Sequence, residues 1–321
     1  MVTLMPLDNA KRRTQLRRSL RRDAVALPFL LPWLIGLVLF FGYPMIATVY
    51  FSFTHYDQIS APEWVGLSNW RFVFTQYRPF LQALGNTLWL IALMVPARVL
   101  FGMVTGILVQ QFKRGAGVYR TAFFLPYLAP PVAATIVFVF VLNPNGPVNH
   151  LLARISITGP NWFNDPSTSK LALTLLAMWG IGDLMIIFLA SLLDVPREQY
   201  EAASLDGAGS LQQFRYVTLP AIKPIILFAA VTGVIQATQY YTQALVAGKV
   251  ASGSALGSGV GFDPGYPQGS TLTLAQLVYS LGFQHFNTGA ASVVAVVLMG
   301  LSLVFAAILL RRGSAFLGAG E

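Results

Sequence analysis

The sequence predicts an all-α membrane protein with six transmembrane helices and a cytoplasmic helix-turn-helix loop between the fourth and the fifth. Three observations support this prediction: an apolar composition, six long apolar runs, and an uneven distribution of Lys and Arg. Of 321 residues, 55% are hydrophobic and 10% are charged, and the mean hydropathy is +0.62. A chain of this composition is too apolar for a soluble domain, so we expect it in a bilayer.

Six apolar runs are long enough to span a membrane, because a helix needs about 20 apolar residues to cross about 30 Å of hydrocarbon. Bounded by charged or turn residues, they are 24–49, 84–109, 121–142, 171–193, 225–246 and 289–310. The first run is too long for the core of a signal peptide, and no small-residue cleavage site follows it. It is therefore predicted to remain as a transmembrane anchor.

The distribution of Lys and Arg predicts the orientation, since basic loops stay on the cytoplasmic side. Fifteen of these residues fall in the N-terminal tail, the second and fourth connections and the C-terminal end, and five fall in the three opposite connections. Both termini are therefore predicted to be cytoplasmic. The chain divides into a basic tail (1–23), a six-span domain (24–310) and a C-terminal tail (311–321).

The formal net charge of +9 is compatible with binding to nucleic acid or to a membrane surface. Its asymmetry is what a multispanning protein requires, so we expect the tail to meet anionic membrane lipids and we expect no nucleic acid partner. There are no cysteines, and His55, His150 and His285 lack metal-ligand spacing. The histidines are interpreted as surface residues, and no metal site or catalytic constellation is predicted.

The loop of residues 195–223 is predicted to hold two short helices. Pro196 suits the first turn of a helix, and Glu198 and Glu201 lie early enough to interact favourably with the helix dipole. The sequence Asp-Gly-Ala-Gly at 206–209 then breaks this helix, because glycine tolerates the backbone angles of a sharp reversal.

The second short helix is predicted from Ser210 and Gln213, which have the spacing of a capping box. It should end near Leu219 and Pro220, because proline restricts the residue before it. Cytoplasmic loops often contain short helices, so this pattern alone does not establish a function.

The residues of this loop resemble a known signature. Glu201-Ala202-Ala203, then Gly207, then Val217-x-Leu219-Pro220 is similar to the EAA motif of permease subunits in bacterial binding-protein-dependent ABC importers, with Val217 where Ile is usual. Residues 25–310 resemble the carbohydrate branch of that family, which includes oligosaccharide and glycerol phosphate permeases. The supporting segments are Tyr43-Pro44, the run VGLSNW at 65–70, Asn86-Thr87-Leu88, Arg120-Thr121 and Leu125-Pro126.

The resemblance implies that residues 195–223 are a coupling loop that docks on an ATP-binding subunit and transmits its closure to the membrane helices. It implies roles for Glu201 as the charged contact, for Gly207 as the turn, and for Ala202 and Ala203 as the packing surface. It also implies a second, homologous permease subunit and an external solute-binding protein as partners. ATP and Mg²⁺ would be bound by the partner subunits, and this chain has no Gly-x-x-x-x-Gly-Lys-Ser/Thr phosphate loop of its own.

Two charges lie inside predicted spans, Arg98 in the second and Asp183 in the fourth. An intramembrane charge is costly, so either the two residues neutralise each other or each one separately reaches water or the headgroups. Gly102 and Gly106 follow Arg98 in a Gly-x-x-x-Gly pattern, which permits close helix packing.

A polar stripe is predicted in the fifth span, where Gln236, Gln239, Tyr240 and Gln243 recur at i, i+3, i+4 and i+7. Amides and a phenol match the hydroxyl groups of a sugar, so the stripe is a candidate for the solute path. Alternatively, these side chains bond neighbouring helices. The glycine-rich segment 247–270 is interpreted as an insertion rather than as a contact with the binding protein.

The predicted function is that of a permease subunit in the bacterial inner membrane, in an ATP-driven importer of an uncharged oligosaccharide. It is not predicted to be an enzyme. Two alternatives remain: a self-contained secondary transporter or channel, and an importer of glycerol phosphate. An anionic solute such as glycerol phosphate would be expected to recruit cationic groups, and Arg98 is the one basic residue inside a predicted span.

Overall fold

The computed structural model describes residues 28–112, 114–254 and 264–318, and it is predominantly helical. The predicted tail 1–23, the first residues of the first span, and part of the glycine-rich segment lie outside the described residues. In chain order the helices are α1 (Pro28–Phe51), α2 (Ser68–Arg71), α3 (Arg78–Gln111), α4 (Ala116–Phe124), α5 (Pro131–Val141), α6 (Pro147–Arg154), α7 (Ser169–Trp179), α8 (Gly182–Leu193), α9 (Arg197–Leu205), α10 (Ser210–Ala221), α11 (Lys223–Thr238), α12 (Thr242–Ala251), α13 (Leu274–Tyr279) and α14 (Thr288–Gly318). Two short strands, β1 (Thr54–His55) and β2 (Glu63–Trp64), pair antiparallel.

The chain forms two units, residues 1–51 and residues 52–321. The described part of the first unit is helix α1, which includes a π-helical turn at Val38–Gly42. Its large apolar side chains are mostly exposed, as expected of a helix surrounded by lipid.

Among the described residues, three helices are long and apolar enough to cross a membrane alone: α1, α3 and the segment Thr288–Gly313 of α14. Up to six spans result if each of three bent helix pairs counts as one. The second predicted span lies within α3, which has 34 residues. The last helix continues to Gly318, so it extends through Arg311 and Arg312 into the predicted C-terminal tail.

The third predicted span is not one straight helix. Residues Ala116–Leu128 and helix α5 meet at an angle of 102°. Pro130 and Pro131 explain the break, because a proline disfavours helical angles in the residue before it and lacks an N–H group. Ala129 and Pro130 accordingly have extended backbone angles, with ψ of 135° and 132°.

The fourth span is also interrupted, and a bend precedes the fifth. Helices α7 and α8 differ in direction by 51° around Gly180, a residue of low helix propensity. Helices α10 and α11 differ by 64° around Ile222. Pro224, in the first turn of α11, prevents a continuous helix because its ring would clash with the carbonyl of Pro220.

Helix α3 lies at the centre of the larger unit and packs against α8 and α11. Its approach to α8 is close: a Cβ added at Gly102 would lie 3.0 Å from Leu184 Cβ, and one at Gly106 would lie 3.1 Å from Phe188 Cβ. The packing role predicted for these two glycines is therefore confirmed. This contact brings Arg98, one turn before Gly102, next to the start of α8.

Candidate functional site

A cavity of about 340 Å³ opens between the central helices of the larger unit. Its walls come from α3, α5, α7, α8, α11 and α12, from the breaks that follow α7 and α11, and from the segment between α4 and α5. Both intramembrane charges and all four residues of the predicted polar stripe line it. The remaining lining residues are Met94, Pro126, Tyr127, Ala129, Pro131, Ala134, Thr135, Leu176, Ala177, Trp179 and Gly180.

The structure brings the two intramembrane charges together. Arg98 Nη2 lies 3.6 Å from Asp183 Oδ1, and Arg98 Nη1 donates a hydrogen bond to Gln236 Oε1. Both charged side chains are largely buried. Arg98 Nε and Asp183 Oδ1 have no hydrogen-bond partner within the described residues, so the ion pair is incompletely satisfied.

The four stripe residues share the cavity, but the prediction that one helix presents them is wrong. Helix α11 ends at Thr238 and α12 begins at Thr242, so Gln239 and Tyr240 lie in a break. The fifth span is therefore not one uninterrupted helix to residue 246, although residues 242–246 are helical as part of α12.

The stripe residues also differ in exposure. Gln236 and Gln239 are exposed, whereas Tyr240 is buried and its hydroxyl donates to the carbonyl of Leu173 at 3.3 Å. For the Tyr240 hydroxyl, the alternative of a bond to a neighbouring helix is thus observed. The two glutamines keep amide groups on the cavity side.

Two aromatic residues of the cavity, Tyr127 and Trp179, were not among the residues predicted from the sequence. Both lie beside breaks in bent helix pairs, Tyr127 before Pro130 and Trp179 before Gly180. An aromatic residue next to a helix-breaking residue inside an apolar run is the sequence signal that marks them. Aromatic faces pack well against the apolar faces of sugar rings.

The predicted coupling loop contains helix α9, a break, and helix α10. Gly207 has a φ of +80°, a left-handed conformation that favours glycine, so it forms the turn. Glu201 and Ala202 are exposed, and Ala203 is half-buried. The two helices are held together by bonds from Tyr200 to Thr218 at 2.9 Å and from Gln213 Nε2 to Ser204 Oγ at 2.8 Å.

The capping interactions differ from the prediction. Pro196 precedes α9 as its N-cap rather than lying in its first turn. Gly209 is the N-cap of α10, and its N–H donates to Gln212 Oε1 at 2.9 Å, so Ser210 and Gln213 do not form a capping box.

Helix α10 ends at Ala221, one residue after Pro220 and so near the predicted position. Leu219 and Pro220 continue the helix to Ala221, and the chain bends at Ile222 because of Pro224.

No cluster of three or more His, Cys, Asp or Glu that would suit a metal ion occurs among the described residues. His55, His150 and His285 are all exposed, as the sequence analysis predicted.

Comparisons with known proteins identify the class of protein. The family described as binding-protein-dependent transport system inner membrane component matches residues 98–313, and the chain belongs to this family. It is 33% identical to a probable ABC transporter permease, YesP of Bacillus subtilis, over 92% of this chain and 93% of that protein.

A second relative and a solved structure agree with this assignment. The arabinooligosaccharide transport permease AraP of Bacillus subtilis is 27% identical over 99% of this chain and 98% of that protein. A chain of a bacterial ABC transporter involved in alginate import has the same fold, with a TM-score of 0.73 at 21% identity, over 94% of this chain and 99% of that chain. The resemblance stated from the sequence is thereby confirmed, and the chain is a permease of the ABC importer type.

Proposed function

We propose that this chain carries an uncharged oligosaccharide through the cavity, as one permease subunit of an ATP-driven importer. The observation that supports this most directly is the charge balance of the cavity. Its cation, Arg98, is 3.6 Å from the carboxylate of Asp183, and the other polar lining groups are amides and hydroxyls. Such a surface offers hydrogen bonds to a neutral solute without a surplus charge.

A phosphorylated or acidic solute would need a cavity with surplus positive charge. Binding it would require Arg98 to leave Asp183, which would leave a carboxylate unpaired in a region of low dielectric constant. Glycerol phosphate remains the second candidate solute, because Arg98 is the group in the cavity that would bind its phosphate. The relative named for arabinooligosaccharide transport favours a saccharide.

The expected partners follow from membership of a binding-protein-dependent family. They are ATP-binding cassette subunits that dock on residues 195–223, a second permease subunit, and an external solute-binding protein. ATP and Mg²⁺ are assigned to the ATP-binding subunits. Family membership disfavours a self-contained secondary transporter or channel, because such a protein would work without a binding protein.

We place the chain in the inner membrane with six spans, the fifth beginning with α11 after the coupling loop, and with both termini in the cytoplasm. The basic tail 1–23 and the coupling loop then lie on the same side, in agreement with the Lys and Arg distribution. The membrane domain covers residues 24–310, and the C-terminal residues 311–321 follow on the cytoplasmic side, with α14 extending into them.

The test is transport by the complete importer, purified from its host and reconstituted in vesicles with internal ATP. Uptake of labelled neutral oligosaccharides two to five sugars long is compared with uptake of glycerol 3-phosphate. We expect a neutral oligosaccharide to be accumulated and glycerol 3-phosphate to be excluded. Uptake of glycerol 3-phosphate alone, or uptake without ATP, would contradict the proposal.

A double variant separates the two candidate solutes. Arg98→Met with Asp183→Leu removes both charges and leaves the cavity neutral, so uptake of a neutral oligosaccharide should stay within about threefold of the parent. Uptake of a phosphate-carrying solute would fall well below that range, because the cavity would no longer contain the cation that binds the phosphate.

A further inference from the structure

The break between α11 and α12 leaves the backbone carbonyl of Tyr240 without the backbone N–H partner that a continuous helix would provide. In the structure this carbonyl accepts a hydrogen bond from Thr273 Oγ1 at 3.0 Å. The same hydroxyl oxygen accepts the N–H of Gln276 at 3.2 Å and so caps helix α13. Thr273 is completely buried, and it therefore links α13 directly to the break beside the cavity.

Thr273 belongs to residues 264–274, here called the anchor segment, which is fixed to α3 by several further bonds. Asn86 Nδ2 donates to the carbonyls of Gly269 and Leu272 at 2.8 and 3.0 Å. Thr87 Oγ1 accepts the N–H of Leu274 at 3.0 Å. Asn86 and Thr87 are the polar pair of the sequence motif Asn-Thr-Leu, whose purpose the sequence analysis left open.

The start of α7 completes the same attachment. Lys170 Nζ donates to Asn86 Oδ1 at 3.2 Å and lies 5.1 Å from the centre of the Trp89 ring. Ser169 and Ser270 share a hydrogen bond of 2.8 Å. The anchor segment is therefore bonded to α3, to α7 and to the break.

The break determines which helix forms the far wall of the cavity. Helix α11 packs against α3 and α14, whereas α12 packs against α5. A continuous helix would carry residues 242–251 along the axis of α11. The break allows Gln243 on α12 and Ala134 on α5 to line the cavity together.

We propose that the anchor segment, acting through Thr273, is a positioning element that fixes the break and thereby sets the width of the cavity and the length of saccharide it accepts. This rests on the proposed function, because it assumes that solute passes through the cavity. Thr273 and Thr87 are fully buried, and hydrogen bonds shielded from water are costly to break. The anchor segment therefore holds the break in place throughout transport.

Three variants separate this role from helix capping. Thr273→Val keeps the shape of the side chain but loses the bond to Tyr240 and the cap. Thr273→Ser keeps both. Gln276→Leu is the matched control, because it removes the bond from Thr273 N–H to Gln276 Oε1, which is 3.1 Å long, and leaves the bond to Tyr240 intact.

The first measurement does not depend on transport. The chain contains no cysteine, so Gln243→Cys introduces a single thiol in the cavity wall. We expect Thr273→Val to change the rate of its modification by a water-soluble maleimide about fivefold, the factor for losing one hydrogen bond. Thr273→Ser and Gln276→Leu should stay within about twofold. An unchanged rate in Thr273→Val, or an equal change in Gln276→Leu, would overturn the proposal.

The second measurement is the ratio of uptake of a neutral disaccharide to uptake of a neutral tetrasaccharide by the reconstituted importer without the added cysteine. We expect Thr273→Val to shift this ratio about fivefold and Thr273→Ser to restore it. A loss of stability alone would lower both rates and keep the ratio, and that result would overturn the positioning role.

Two further outcomes distinguish the positioning of the break from the proposed function and from a failure of the variant to assemble. If the parent takes up no saccharide but the maleimide rate still responds to Thr273→Val, the proposed function fails and the positioning of the break stands. If Thr273→Val does not assemble, Thr87→Val is tested instead. It removes the acceptor for Leu274 N–H and the bond within α3 from Thr87 Oγ1 to the carbonyl of Ala83, but it leaves the bond from Thr273 to Tyr240 in place. An unchanged maleimide rate in this variant would overturn the proposal.

Discussion

The cavity and the proposed coupling loop differ in whether their side chains have bonding partners within the chain. In the cavity, Arg98 is bonded to Gln236 and paired with Asp183, so its partners belong to the same chain. In the coupling loop, large apolar side chains are directed outward: Leu205 is 90% exposed and Leu211 is 80% exposed. The cavity is thus positioned by this chain, whereas the exposed side chains of the loop fit its proposed role as a docking surface.

This difference separates two kinds of mutational effect. A change to a cavity side chain that is bonded within the chain, such as Arg98, should affect stability as well as transport. A change on the exposed face of the loop removes no internal bond, so it should affect transport and leave stability nearly constant. Substitutions in the two regions test this separation.

Charge reversal at Glu201 should reduce transport strongly. Glu201→Lys places a like charge against the groups expected to bind the glutamate, and such a juxtaposition costs several kcal/mol. We expect ATP-driven uptake by the reconstituted importer to fall more than about tenfold, while the free energy of unfolding changes by less than about 0.5 kcal/mol. Glu198→Lys, on the same exposed helix, is the control and should retain uptake.

The turn of the loop gives a second, matched test. Gly207→Asp forces a side chain onto a φ of +80°, which costs about 1 kcal/mol, and it adds bulk to the proposed docking surface. Gly209→Asp provides the comparison, because Gly209 has a φ of −73° and open space around it. We expect Gly207→Asp to abolish coupling between solute and ATP hydrolysis. Normal uptake in both Gly207→Asp and Glu201→Lys would exclude the loop as the coupling element.

The ion pair of the cavity should show strong coupling in thermal unfolding. Removing one partner leaves an unpaired buried charge, so Arg98→Met and Asp183→Leu should each destabilise the protein by about 3 kcal/mol. The double variant has no charge to leave unpaired and should be more stable than either single variant. Unfolding in detergent measures all three, and simple additivity would show that the two residues do not depend on each other.

The polar stripe should divide into two functional types. Gln239 is exposed to the cavity, so Gln239→Leu should lower solute-stimulated transport severalfold with little loss of stability. Tyr240 donates to Leu173, so Tyr240→Phe should lower the free energy of unfolding by about 1 kcal/mol. Tyr240→Leu also replaces an aromatic side chain of the cavity wall by a smaller one, and we expect it to depress transport while assembly persists.

A triple substitution tests the stripe as a whole. Replacing Gln236, Gln239 and Tyr240 by Leu removes three polar lining groups, and we expect transport to be lost while the ATP-binding subunits still co-purify. Unaltered transport by this variant would contradict the assignment of the cavity to the solute path.

Local sequence signals predicted much of this fold and part of the site. Apolar length located the candidate spans, and the pair Pro130-Pro131 carries the signal for the bend in the third, although the run was predicted as one helix. The break at Gln239–Tyr241 has no comparable local signal. The group that bonds the carbonyl of Tyr240 there is Thr273, which lies more than thirty residues later in the sequence. The cap of α10 was assigned wrongly because Ser210 and Gly209 are both plausible N-caps and only the backbone angles distinguish them.

The smallest prediction compares two glycines of helix α3. A Cβ at Gly106 would lie 3.1 Å from Phe188 Cβ and 3.3 Å from Leu189 N, so Gly106→Ala must push α8 away, and we expect a loss of about 1 kcal/mol. A Cβ at Gly85 would meet nothing within 4 Å, so Gly85→Ala should instead stabilise the helix by about 0.5 kcal/mol through its higher helix propensity. Thermal unfolding of the two variants in detergent measures the opposite signs. The same substitution then reports helix propensity at Gly85 and helix packing at Gly106, two turns beyond Arg98. If Gly106→Ala were as stable as Gly85→Ala, α3 and α8 would not be in the close contact that holds Arg98 beside Asp183.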